Sequence, residues 1–203
     1  MVQAPPQPQP LSLQLPHKLV LCVTPEQFAA LAAVNRDLRL ETTATGELIV
    51  NPPTGGTTGK RNQSIATQLG VWFEANETLG EVFDSSTGFK LPNGAHRSPD
   101  AAWVRQDRWD ALTPEQQDGF IPLCPDFAIE LRSKTDTLKE LRAKMVEYLD
   151  NGAQLGWLID PKHKRVEIYR LGQAVEVLEQ PSTVSGEEVL PEFRLTLKRI
   201  WAN

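Results

Sequence analysis

Apolar residues recur at helical spacing in three stretches of the chain. After Thr24-Pro25-Glu26-Gln27, the side chains of Phe28, Leu31 and Ala32 fall on one face. Thr24 suits an N-cap, Pro25 the first helical position, and Gln27 the reciprocal place in a capping box. A second helix is predicted over residues 60–76, with Ile65, Leu69, Trp72 and Phe73 on one side. The third and clearest spans 133–150: Leu138, Leu141, Met145, Tyr148 and Leu149 form its apolar stripe, and Asn151-Gly152 ends it.

Short apolar runs bounded by turn residues predict strands between and after these helices. They fall at 38–42 and 47–50, joined by a Thr45-Gly46 turn, then at 81–84, 98–104 and 126–131. The run LGWLI at 155–159 has the composition of a buried strand, and 165–169, 173–178 and 194–197 complete the set. Residues 51–59, NPPTGGTTG, are rich in structure breakers and predict a loop, and 107–117 is a polar connecting segment. Helices and strands alternate along the chain. The expected fold is therefore an α/β domain of mixed strand direction, a central sheet flanked by helices.

Composition narrows this picture. Residues 1–17, MVQAPPQPQPLSLQLPH, predict a flexible Pro/Gln-rich tail, leaving 18–203 as the folded domain. That length builds a core without disulfides or a structural metal. Cys22 and Cys124 match neither a disulfide framework nor a zinc motif, and they are expected to be reduced structural residues. No apolar run is long enough to cross a bilayer, and the N-terminus lacks the basic-then-apolar order of a secretion signal. The expectation is a cytoplasmic protein with no membrane association. The formal net charge of −5 argues against non-specific duplex binding, which relies on Lys and Arg neutralising phosphates. It leaves open an enzyme whose local basic rim or bound metal reverses the field.

Candidate chemistry starts with two carboxylates. Asp100 follows Pro99, and Glu130 sits inside DFAIEL, where Ala128, Ile129 and Leu131 flank it. A charge in such a run is costly unless it faces solvent, pairs, or binds a metal. Two such acids on neighbouring strands suit a Mg²⁺ ion, which takes a few carboxylates plus water and phosphate. The plain alternative is an outward-pointing Glu130, and spacing alone favours it. Lys144 flanks the apolar stripe of the third helix and could bring an ammonium to the same place; a surface pair with Glu140 explains it equally well. Glu47 begins an apolar strand, as a contributor to the site or as an exposed strand-start acid. His96 and Arg97, beside Pro99-Asp100, read as exposed loop polarity or as phosphate contacts. The five tryptophans read as core or interface residues. Gly55-Gly56-Thr57-Thr58-Gly59-Lys60 lacks the phosphate-loop pattern, and His17, His96 and His163 lack metal-ligand spacing.

The runs RSPDAAWV and PDFAIELRSKTDTLKELRAKMVEYLDNGAQLGWLIDPKHKRVEIY carry a resemblance. With TPEQF and LRLETTATGELIVNPPTGG, they closely resemble the Uma-type family of restriction-endonuclease-like proteins in the PD-(D/E)XK nuclease superfamily. The resemblance spans roughly residues 20–200. It implies a restriction-endonuclease-like core and divalent-metal ligands on adjacent strands. Asp100 matches the motif aspartate and Glu130 the acid of the second half-motif. The usual lysine two positions after that acid is replaced by Arg132, whose planar, permanently charged fork is a poor substitute for a compact ammonium. Lys144 matches the family's relocated lysine, and Glu47 resembles an additional acidic position. The function so implied is Mg²⁺-dependent (or Mn²⁺-dependent) hydrolysis of DNA, with Asp100 and Glu130 as metal ligands and Lys144 and Glu47 completing the site. The rival is a nuclease scaffold that binds nucleic acid or protein without cutting, and a third reading is a homodimerisation module built on the C-terminal strands.

Overall fold

A computed structural model describes residues 20–202; the Pro/Gln-rich segment 1–17 lies outside the described residues. In chain order the elements are α1 (Pro25–Val34), β1 (Arg39–Thr42), β2 (Leu48–Asn51), α2 (Gly56–Glu74), β3 (Gly80–Asp84), β4 (Phe89–Lys90), β5 (His96–Arg97) and β6 (Ala101–Arg105). There follow α3 (Gln106–Asp110), α4 (Pro114–Gln117), β7 (Phe127–Leu131), α5 (Leu138–Asp150), β8 (Leu155–Asp160), β9 (Arg165–Arg170), β10 (Glu176–Glu179), β11 (Thr183–Ser185), β12 (Arg194–Thr196) and α6 (Lys198–Trp201). The main sheet has six strands in the order β10-β9-β8-β7-β6-β3. Only β7 and β8 run parallel, and α5 is the crossover between them; the other pairs are antiparallel. A smaller sheet, β2-β1-β5-β4, carries the β1–β2 hairpin beside it.

The two-residue alternation of strands divides the core into two layers. Ala101, Trp103, Phe127, Ile129, Leu131, Leu155, Trp157, Ile159, Val166 and Ile168 face α2 and the C-terminal segment. Ala102, Val104, Ala128, Leu158 and Tyr169 face α5, which answers with Leu141, Met145 and Tyr148. Helix and sheet approach closely there because Gly156 has no side chain: a Cβ would lie 2.4 Å from Met145 Cε. Even-numbered positions of β7 thus point at α5, and this parity fixes where Glu130 goes.

The structure departs from the sequence expectations at several boundaries. Residues 56–59 are the first turn of α2, not loop: Gly55 is its N-cap, a place glycine tolerates, and burial of Ile65, Leu69 and Trp72 stabilises the helix. The polar segment 107–117 holds two short helices, the second closed by a Thr113–Gln116 capping box. The last long helix begins at Leu138, because Asp136 Oδ2 accepts the Ser133 N–H at 2.7 Å and Thr137 supplies the cap. At the β1–β2 turn, Gly46 has φ +83°, and a Cβ would meet Val23 O at 2.7 Å. Cys124 is buried and Cys22 exposed, both unpaired.

Candidate active site

Glu130 is the penultimate residue of β7, on the α5 side of the sheet. Lys144 and Tyr148 lie four positions apart on α5, so both side chains come down on the same spot. Lys144 Nζ stands 2.8 Å from Glu130 Oε1, and the Tyr148 hydroxyl donates to the same oxygen at 2.8 Å. The β6–β7 register runs Ala102↔Ala128, Ala101↔Ile129; its next step brings Asp100 alongside Glu130. Asp100 Oδ2 accepts the Leu131 backbone N–H at 2.8 Å, pinning the carboxylate to the end of β7. Its Oδ1 accepts from Asn62 Nδ2 at 3.1 Å and Arg39 Nη1 at 3.4 Å.

A third carboxylate comes from β1. Glu41 is buried and receives Lys144 Nζ at 3.2 Å, Asn51 Nδ2 at 3.2 Å and Arg97 Nη1 at 3.5 Å, with Arg39 Nη2 at 3.6 Å. Arg97 is shared with Glu147 of α5, whose Oε2 lies 2.6 Å from its Nε. One ammonium therefore bridges Glu130 and Glu41, and one guanidinium bridges Glu41 and Asp100.

The electrostatics follow from crowding. Burial, resisted by Lys144 and assisted by the neighbouring charges of Asp100 and Glu41, pushes the Glu130 carboxyl up to about 7. Glu41 is also buried, but Lys144, Arg39 and Arg97 outweigh that and hold it below the usual carboxylate range. Burial works against the charge of Lys144, and Glu130 and Glu41 overcome it, so the ammonium stays protonated.

Of the residues singled out in the sequence, the structure brings together Asp100, Glu130 and Lys144. Glu130 is buried, not outward-pointing, and Lys144 meets Glu130 and Glu41 while Glu140 is bonded by the Thr137 hydroxyl. Glu47 is not in this cluster. It lies at the turn end of the β1–β2 hairpin, half-buried, and its side chain makes no ion pair or hydrogen bond among the described residues. Glu41, inside LRLET, was missed; its signal is that of Glu130, an acid within an apolar strand. His96 and Arg97 are buried in β5, not exposed on a loop: Arg97 serves the cluster, while His96 bonds Thr42 and is driven down to about 4 by burial. Trp72, Trp103 and Trp157 are core residues, and Trp109 and Trp201 are partly buried against the core. Arg132 turns away to Asp160 at 2.9 Å. On the segments leaving the same ends of β7 and β8, Lys134, Lys139, Lys162 and Lys164 are exposed.

The donor set suits a hard divalent cation. Its carboxylate oxygens are the ligands Mg²⁺ prefers. Asn62 Oδ1 is buried beside Asp100 with no hydrogen-bond partner, an acceptor open to a donor such as a metal-held water. Among the described residues no three His, Cys, Asp or Glu side chains stand as a ligand group; the acids are engaged by Arg39 and Lys144 instead.

This fold, a mixed sheet flanked by helices, is that of the restriction-endonuclease class. A solved structure from Anabaena variabilis ATCC 29413, described as "a putative nuclease belonging to DUF820", superposes with a TM-score of 0.67 at 21% identity, covering 80% of this chain and 89% of that one. The Uma2 family model, described as "Putative restriction endonuclease", matches residues 25–198, and the chain belongs to that family. No curated protein matches it in sequence. Among the described residues no helix is long and apolar enough to cross a membrane.

Proposed function

We propose that the protein is a Mg²⁺-dependent endonuclease that hydrolyses DNA phosphodiester bonds at the cluster of Asp100, Glu130, Glu41 and Lys144, with Mn²⁺ as an alternative ion. The observation that carries this reading is Lys144 Nζ within 3.2 Å of two buried carboxylates, Glu130 at the end of β7 and Glu41 of β1, with Asp100 alongside, in a chain of a family described as restriction endonucleases. Asp100 and Glu130 are the residues to hold the cation, with Glu41 next to them. When bound, the ion would acidify a water and offset charge on a phosphoryl oxygen. The chain's own part is positioning. The Leu131 N–H and Asn62 fix Asp100, Tyr148 and Lys144 fix Glu130, and the Lys144 ammonium stands in for the lysine missing at position 132. The exposed lysines on the segments after β7 and β8 offer phosphate contacts despite the acidic net charge. Glu47, at the turn end of the β1–β2 hairpin, makes no side-chain ion pair or hydrogen bond with this group among the described residues.

The test is cleavage of supercoiled and linear DNA with Mg²⁺ or Mn²⁺. Asp100→Ala and Glu130→Ala are each expected to lower the rate by about 10²–10³-fold, the scale of losing a preorganised charge-stabilising group. Activity retained in both variants sinks the assignment. One observation favours a non-cutting scaffold: each carboxylate already has an intramolecular cation. Calorimetry showing no Mg²⁺ or Mn²⁺ uptake by folded protein would decide for it.

A further inference from the structure

Three cations face the cluster, and they are held differently. Arg97 is buried and anchored to Glu147 at 2.6 Å, reaching Glu41 at 3.5 Å. Lys144 is well buried and sits 2.8 Å from Glu130 Oε1, a full-strength charge-assisted contact. Arg39 is 30% exposed, at the mouth of the cluster. Its Nη1 is 3.4 Å from Asp100 Oδ1 and its Nη2 is 3.6 Å from Glu41 Oε1. Both separations exceed the charge-assisted optimum of about 2.7–2.9 Å. Its Nε is buried with no hydrogen-bond partner, so the guanidinium is held by charge more than by directed bonds. Glu130 acts on it as well, so Arg39 stands in the field of all three acids.

We propose that Arg39 is a displaceable internal counter-ion that occupies the divalent-cation position in the metal-free protein and sets the affinity of that position. This rests on the metal-site reading above and adds to it the residue against which the cation competes. The geometry selects Arg39 over Lys144. The lysine is enclosed between β1, β7 and α5, whereas the arginine is loosely bonded, partly exposed, and spans Asp100, one of the two proposed ligands, and Glu41, the acid beside them. A full guanidinium charge close to a divalent ion also opposes binding directly, so withdrawal must accompany uptake.

The experiment measures Mn²⁺ binding by calorimetry and the Mn²⁺-induced rise in Tm, for the wild type, Arg39→Gln and Arg39→Lys. Arg39→Gln is expected to bind Mn²⁺ at least about tenfold more tightly, a change of about 1.4 kcal/mol. Its Tm should be lower than that of the wild type in chelator and should rise further on adding Mn²⁺. Arg39→Lys, which keeps the charge, should stay within a few-fold of the wild type. Equal or weaker binding by Arg39→Gln, while the wild type binds, overturns the counter-ion role and leaves the metal site standing. No binding by either protein overturns both readings. If Arg39→Gln fails to fold in chelator, refolding on addition of Mn²⁺ supports the proposal. Failure to fold even in excess Mn²⁺ overturns it, because a counter-ion the metal replaces must be replaceable by the metal.

Discussion

The α5 face of the sheet carries two sites built from the same parts. In one, Glu130 of β7 meets Lys144 of α5 and the hydroxyl of Tyr148. In the other, Glu167 of β9 meets Arg142 of α5, at 3.0 and 3.1 Å from its two oxygens, and the hydroxyl of Tyr169 at 2.9 Å. The two glutamates even share a row, since Glu130 pairs with Leu158 and Leu158 with Glu167. Yet their carboxyls shift in opposite directions. Burial opposes ionisation of both, but Arg142 and the Tyr169 hydroxyl hold Glu167 below the usual range, while Glu130 is raised to about 7. The difference is the company each keeps. Glu167 has its own arginine, which is half exposed to water; Glu130 shares one ammonium with Glu41 and lies beside Asp100. An ion pair satisfied one-to-one reads as structural, whereas a cluster in which several buried acids share their cations is a candidate functional site.

The largest effect that separates the two is removal of the helix cation. Lys144→Met leaves Glu130 and Glu41 facing each other in a buried site, and it should cost about 3–5 kcal/mol, the usual toll of orphaning a buried charge. Arg142→Met leaves Glu167 buried, but with its tyrosine bond intact, Arg165 still nearby and no second acid beside it, and it should cost less, about 1–3 kcal/mol. Urea unfolding in chelator measures both. Equal losses would mean that the two sites are electrostatically alike and that the comparison fails.

The pH dependence has opposite signs at the two sites. For Glu130 the folded carboxyl is raised above the unfolded one, so its contribution is present in full below about 4.5 and is lost as pH climbs towards 7. For Glu167 the folded carboxyl is depressed, so its contribution is present above about 4.5 and is lost as pH falls through the lower, folded value. In chelator, Glu130→Gln should therefore improve in stability relative to the wild type between pH 4.5 and 7. Glu167→Gln should worsen relative to the wild type as pH rises out of the acid range. Unfolding midpoints across a pH series give the two slopes, and parallel curves would remove the distinction.

Much of this site was legible in the sequence because strand parity and helix spacing are local rules. The alternation Phe127, Ile129, Leu131 against Ala128, Glu130 already puts Glu130 on the face opposite the largest residues. The stripe Leu141, Met145, Tyr148 places Lys144 at its margin. What spacing could not give is which strand lies next to which. Glu41 joins the cluster because β1 lies across the end of the main sheet, and Thr42↔His96 is its register to β5. That is a long-range pairing, with no trace in the residues around Glu41. Glu47 is recognisable locally as a strand-start acid, but which residues lie across the sheet from it is set by long-range pairing. Arg97 looked like loop polarity beside a proline, and only the partners Glu41 and Glu147 make its burial affordable. The boundary errors at 56–59 and 133–137 are of another kind. There, tertiary burial extended one helix through glycines, and a side-chain cap shortened the other.

The smallest effect is the most discriminating, because it removes no charge. Tyr148→Phe and Tyr169→Phe each delete one hydroxyl donated to a buried glutamate, at 2.8 and 2.9 Å, and each should cost about 1 kcal/mol of stability. At Glu167 the matter ends there, since Arg142 still bonds both oxygens. At Glu130 the hydroxyl and Lys144 share Oε1, so its loss frees the carboxylate to rotate and removes a donor that favours the charged form. Tyr148→Phe should therefore weaken Mn²⁺ binding by several-fold, about the lower end of the 10–100-fold seen when a ligand loses its supporting hydrogen bond. Tyr169→Phe should leave binding unchanged. Calorimetry on the two variants, matched in stability loss, separates a tyrosine that only packs from one that aims a ligand; equal Mn²⁺ affinities would reduce Tyr148 to the role of its twin.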